Sequence, residues 1–307
     1  LSGKYIPNGN TVVFRSSIAN STTEIISRST TDNPFHSITI DGAGIVEAKD
    51  NILVNGNITI QNSSNLKNTN KNITIKGNWI NNGGTYIAGT STVLFNGNTT
   101  QTISKTNGNV NFYNLHIDNI NSVNSSAVGA LSTNGIDVAN NLALINGNLR
   151  THIGTNYRYV SVAGTLSRPG NGFVDGELRK SIATGATSAL FEVGYLNSYT
   201  PITLTFSGTG GTAGILGVMS DTITTSTSSI SWADATPSAI NPSGSSINPA
   251  KHIARQYMVN IPTGSTFVLG SNREYKAELN FVNNDHRNGA DFNNYIAKVF
   301  NSTNWIG

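Results

Sequence analysis

The stretch 57–75 reads NITIQNSSNLKNTNKNITI and carries one tetrad twice, at Asn57 and at Asn72. A near-copy, SITI, begins at Ser37. Successive strand residues point to opposite faces, so each ITI sets two Ile on one side and its Thr on the other. The simplest reading makes every triad a rung of one coiled ribbon, Ile over Ile inside and Thr over Thr outside. The polar spacer then turns the corners, where Asn side chains satisfy backbone groups. A meander of antiparallel hairpins is the competing arrangement, which spacing alone does not exclude.

Outward from this stretch, short β-branched runs bounded by Gly and Asn recur: TVVF (11–14), NILV (51–54), TVLF (92–95), NLHI (114–117) and LALI (142–145). The central runs start about 15 to 22 residues apart, which suits one circuit of a parallel β-helix better than a two-residue hairpin. Long stretches with a 3.6-residue apolar period are missing. NGN triplets begin at Asn8, Asn55, Asn96, Asn107 and Asn146, and their Gly or Asn is expected to take the positive φ of a tight turn. After about Phe173 Asn thins out and the strands lengthen, as in LFEV (190–193), PITLTF (201–206) and GILGVM (214–219). The linker-like TITTSTSSISWADATPSAINPSGSS separates these from KHIARQYMVNI. The expected fold is all-β, a right-handed parallel β-helix over 1–180 followed by an Ig-like β-sandwich over 181–307.

Composition narrows the function classes. The 307 residues are 37% hydrophobic, enough for a real core, but only 11% charged, against roughly 25% in an ordinary domain. The polar surface is therefore built from neutral amides and hydroxyls, with 44 Asn in the chain. Net charge is +3, yet the 19 Lys and Arg never form a run of five, which argues against a nucleic-acid partner. Cysteine is absent, so disulfides and thiolate metal sites are excluded. No apolar run reaches the roughly 20 residues of a membrane span. Leu1 opens neither with Met nor with a signal peptide, so an internal or processed piece of something larger is expected.

Two segments bring a family into view. GNWINNGGTYIAGTSTVLFNGNTTQTI (77–103) with FYNLHI (112–117) resembles the repeat of large Bacteroidetes surface proteins and adhesins exported by the type IX secretion system. GELRKSIATGATSALFEVGYLNSYTPITLTF (176–206), with INPAKHIARQYMV (247–259), is similar to a β-sandwich region that follows such repeats. The resemblance is one of pattern and spans about 75 to the end. It implies a non-catalytic, elongated structural or adhesive protein on the outer surface of a Gram-negative bacterium, in some members linked to gliding motility. Export by the type IX machinery and contacts with extracellular glycans or partner proteins come with that implication. The chain departs from the family in lacking both an export signal and a terminal sorting domain.

The rival reading is a carbohydrate-active β-helix enzyme, a polysaccharide lyase or glycoside hydrolase. Such chemistry needs carboxylates converging on a glycosidic bond or a bound calcium, with a basic partner nearby. The acids of 1–180 do not recur at rung spacing; TIDGAG (39–44) is like a glycosidase rung, but a lone Asp41 before Gly is ordinarily a turn residue. The enzyme reading requires Asp41, Asp50 and Asp118 to share a groove. The five His show no metal-ligand spacing, and His116, alternating with Leu115 and Ile117, is expected to face solvent. No GxSxG, Walker or dinucleotide glycine pattern occurs. No catalytic residue, cofactor or metal ligand is assigned.

Four lesser features complete the reading. NNDHRNGAD (283–291) sets Asp285 and Asp291 among Asn side chains, a candidate calcium loop set against a plain solvated hairpin. Trp79 is expected to pack over a neighbouring rung, and Trp232 to be the exposed aromatic. Thr222 follows Asp221 and precedes Ile223, the short Asp, Thr, aliphatic signal for Bacteroidetes O-glycosylation. Stacked outward Thr also raises a remote ice-binding reading, weakened because each triad supplies one Thr.

Overall fold

The computed structural model describes residues 9–26, 34–61, 63–125, 134–153, 156–222, 255–285, 299–300 and 305–306. It is all-β, with a parallel β-solenoid of about seven turns. Three faces wind in sequence. The first carries Thr11–Arg15, Ser37–Asp41, Ile58–Ile60, Trp79–Asn81 and Gln101–Lys105 in parallel order, and five more strands extend it, the last being Ser198–Tyr199. A second, four-stranded face holds Thr22–Ile25, Ile45–Ala48, Asn65–Asn68 and Thr85–Ile87, where it ends. The third starts with Ile52–Val54, Ile73–Ile75, Thr92–Phe95 and Val110–Asp118 and runs on to Arg255–Asn260.

The triads behave as alternation requires. Ile38 stacks on Ile58 and Ile40 on Ile60, all fully buried, while Thr39 lies over Thr59 on the half-exposed side. The second NITI corrects the simple rung reading. Ile73–Ile75 does not stack on Ile58–Ile60; it belongs to the third face, between Ile52–Val54 and Thr92–Phe95. The coils through these triads are therefore 20 and 21 residues long, the separations of Ser37, Asn57 and Asn78. The fifteen-residue echo is the distance between two faces of the same ribbon. Every face of a solenoid needs an in-out-in strand, so the triad marks a face without saying which. The outward Thr column is short as well, since Thr59 is followed by Ile80.

The NGN glycines divide: Gly9 (φ 74), Gly108 (φ 73) and Gly147 (φ 71) take the expected left-handed conformation, but Gly56 and Gly97 do not. A Cβ on Gly77 would lie 2.3 Å from the Gly56 carbonyl carbon, and one on Gly97 would lie 2.4 Å from the Lys76 oxygen. These corners need glycine because one coil's backbone rests on the backbone of the coil below.

Past the solenoid's middle the ladder changes sense without leaving the sheet. Glu177–Ile182 pairs in parallel with Tyr159–Val162 and antiparallel with Gly214–Thr222, which in turn pairs antiparallel with Arg255–Asn260. The first face closes in the hairpin Val193–Tyr195 and Ser198–Tyr199. A separate antiparallel sheet joins Thr187–Phe191, Ile202–Gly208 and Arg273–Leu279. Its buried Leu204 and Phe206 share one apolar cluster with Leu216, Val218 and the solenoid interior.

Candidate functional site

The corner between the third and first faces stacks Asn55-Gly56-Asn57, Lys76-Gly77-Asn78 and the longer Asn96–Thr100. Each turn leaves a backbone N–H at the start of the next strand, and a buried donor without an acceptor is costly. Asparagine solves this by reaching one coil up. The Asn57 N–H donates to Ser37 Oγ (3.0 Å), the Asn78 N–H to Asn57 Oδ1 (2.8 Å), and the Thr102 N–H to Asn78 Oδ1 (2.8 Å). A second ladder climbs the corner before the third face, from Asn51 Oδ1 to the Asn72 N–H (2.8 Å) and from Asn72 Oδ1 to the Thr92 N–H (3.0 Å). Because Oδ1 must face a donor, Nδ2 of Asn57 and of Asn78 is turned the other way. Neither Nδ2 makes a hydrogen bond among the described residues.

The third step is wider: Asn78 to Thr102 spans 24 residues. Asn98, Thr99 and Thr100 bulge outward and are exposed. Gln101 fills the space behind them, accepting from the Gly97 N–H (2.8 Å) and donating to the carbonyl oxygens of Ile75 (3.0 Å) and Gly77 (2.5 Å). Asn119 Nδ2 donates to Gln101 Oε1 (2.9 Å) and to the Thr99 oxygen (2.7 Å). This buried amide pair holds the bulge open. The result is a cleft of about 460 Å³, walled by Asn55, Asn57, Asn78, Asn96, Asn98 and Lys76. Among the described residues no carboxylate, imidazole or aromatic ring lines it. Free amide donors and one ammonium suit hydroxyl, ether or carbonyl oxygens of a ligand. Sequence reading saw the NGN triplets but missed Gln101 and Asn119; the lengthened coil was the available signal.

Asn78→Ala removes the acceptor for the Thr102 N–H, so it is expected to cost about 1 to 2 kcal/mol of stability in urea unfolding. Asn98→Ala, on the exposed bulge, is expected to stay within about 0.5 kcal/mol.

The other candidates lie apart. Asp41 is on the first face, where the Arg15 guanidinium (Nε to Oδ2, 2.8 Å) and the Gly42 N–H hold its carboxyl below the usual range. Asp118 is on the third face and accepts from Asn146 Nδ2 (2.7 Å); Asp50 sits in the turn before Ile52–Val54. None of the three lines the cleft. His116 points outward and half-buried, between Leu94 and Ala143 of the adjacent coils, and burial lowers its pKa. No group of three or more His, Asp or Glu with metal-binding geometry occurs among the described residues. Asp285 is buried and takes two hydrogen bonds from Arg255 (2.7 and 3.1 Å) and one from the Val282 N–H (2.9 Å). That corrects the solvated-loop expectation at Asp285, because its oxygens are held by an arginine inside the protein. Trp79 is buried as expected. Thr222 ends a strand, its backbone opposite Arg255. Its side chain, Asp291 and Trp232 lie outside the described residues. Among the described residues no helix is long and apolar enough to cross a membrane.

No family model, curated protein or solved structure matches the chain, so the site is read from its own geometry.

Proposed function

We propose that this chain is a non-catalytic structural or adhesive segment of a larger extracellular protein, a stiff stalk that makes weak, multiple contacts with glycans or partner chains. The observation that supports it most is the unbroken inter-coil pairing of the first and third faces, with an aliphatic interior and amide ladders at the corners. Such a stack resists bending because each coil is hydrogen-bonded along its length to the next. The donor-lined cleft supplies one weak contact per copy, and many copies on a surface multiply it. A right-handed coil and a β-sandwich over 181–307 belong to the same proposal; the antiparallel sheets that share the cluster of Leu204, Phe206, Leu216 and Val218 support the sandwich. Placement on a Gram-negative outer surface and export by the type IX machinery rest on the repeat resemblance of 77–103 and 176–206.

Display of the chain at high density on beads tests the reading. Retention on polysaccharide-coated surfaces is expected to exceed that of free monomer by about 10²- to 10⁴-fold. Equal retention of beads and monomer, or release of new reducing or unsaturated sugar ends, would overturn it.

A further inference from the structure

The sequence contains nine Asn-Gly dipeptides. At each, the deprotonated glycine nitrogen can attack the preceding asparagine Cγ, closing a five-membered succinimide and expelling ammonia. Water then opens the ring to aspartate or, through the other carbonyl, to isoaspartate. The sequence needs only water as co-reactant. It also needs a glycine N–H that is not held elsewhere and a backbone free to bring that nitrogen onto Cγ.

The fold withdraws the N–H of four of these glycines and restrains two more pairs through their neighbours; Asn8 and Asn288-Gly289 lie outside the described residues. The N–H of Gly56 donates to the His36 oxygen, and that of Gly97 to Gln101 Oε1 (2.8 Å). Gly83 donates to Asn81 Oδ1 (3.0 Å), and Gly135 to Asn109 Oδ1 (2.9 Å). At Asn146 the side-chain amide is itself tied to Asp118, and at Asn171-Gly172 Arg168 grips both carbonyl oxygens. The asparagines that build the ladders are protected differently. Asn57 and Asn72 are followed by β-branched Ile58 and Ile73, and the Ile58 N–H is bound to the Asn78 oxygen (2.9 Å).

Asn107-Gly108 stands open. Both residues are exposed, Gly108 has φ 73, and no atom lies within 4 Å of where its Cβ would be. Neither the Asn107 amide nor the Gly108 N–H is hydrogen-bonded among the described residues. The flanks are fixed: the Thr106 N–H donates to the Asn81 oxygen (2.9 Å), and Lys105 Nζ donates to the Asn109 oxygen (2.7 Å). We propose that Asn107 is a self-modifying site, deamidated through a succinimide with Gly108, which records the age of the protein as one negative charge on an intact coil.

The test is peptide mapping of the full chain during incubation in mildly alkaline buffer, folded and in denaturant. In the folded chain Asn107 is expected to convert about ten- to a hundredfold faster than Asn55 and Asn96, whose glycines must first break a hydrogen bond. In denaturant that preference should collapse. The folded product should carry a net charge one unit below +3, melt with the parent, and be missing at this corner in Asn107→Gln. Conversion of Asn55 or Asn96 as fast as Asn107 in the folded chain, or a preference that survives denaturant, would overturn the assignment.

Discussion

Trp79→Ala is expected to lower the unfolding free energy by about 3 to 5 kcal/mol, read as a drop in the urea midpoint at unchanged m-value. Trp79 stands in the inner column of the first face, above Ile58 and below Ile103, with no solvent exposure. Its ring meets Tyr86 of the second face edge-on (4.8 Å between centroids) and Phe112 of the third (5.5 Å). It therefore ties three faces together at the coil where the second face ends. Burial there pushes the Tyr86 hydroxyl up to about 12, offset by its hydrogen bond to Ser91 (3.1 Å). Alanine would leave a void that rigid sheets on three sides cannot close. Phenylalanine gives the sharper comparison. The Trp79 Nε1–H is buried with no acceptor among the described residues, so Trp79→Phe loses packing volume but also sheds an unsatisfied donor. Its cost is expected to be under half that of alanine. Equal losses would show that the ring does not bridge the faces.

The second large effect is a pH dependence centred on Asp175. This carboxyl is buried on the first face beneath the closing hairpin. Oδ2 accepts the Leu196 N–H (3.1 Å) and lies 3.4 Å from Arg150 Nε, while Oδ1 has no partner among the described residues. Burial raises its pKa to about 7; Arg150 and the Leu196 N–H pull it back, and the Asp221 carboxylate pushes it further up. The folded state then binds this proton more tightly than the unfolded chain, whose carboxyl titrates at 3.8. Stability from this group is complete below about pH 4, declines as pH rises towards 7, and stays low above it. The span is up to about 4 kcal/mol. Asp175→Asn, neutral at every pH, is expected to melt above the parent at pH 8 and to flatten the profile between pH 4 and 7. A variant that is less stable than the parent at pH 8 would mean that the Arg150 pair outweighs the burial cost. Glu47 works in a separate window. Lys49 and Lys67 hold it down to about 2, so its contribution is lost only as pH falls below the ordinary carboxylate range.

The all-β class and the inward side of each triad are legible in the residues themselves, because alternation is a local property that Ile38, Thr39 and Ile40 carry without help. So are the corners, through Asn and Gly at Asn55–Asn57 and Asn96–Asn98. Long-range stacking selects the parallel coil over an antiparallel meander, and it assigns Ile73–Ile75 to a different face from Ile58–Ile60. That choice depends on where the chain turns, and the turn is fixed by hydrogen bonds to the coil below. The same holds for the need for Gly77, which comes from contact with Gly56, a residue 21 positions earlier. The cleft, the Gln101–Asn119 pair and the perturbed Asp175 were equally invisible. Each arises from residues two or more strands apart, whose approach is set by stacking rather than by any neighbour in sequence.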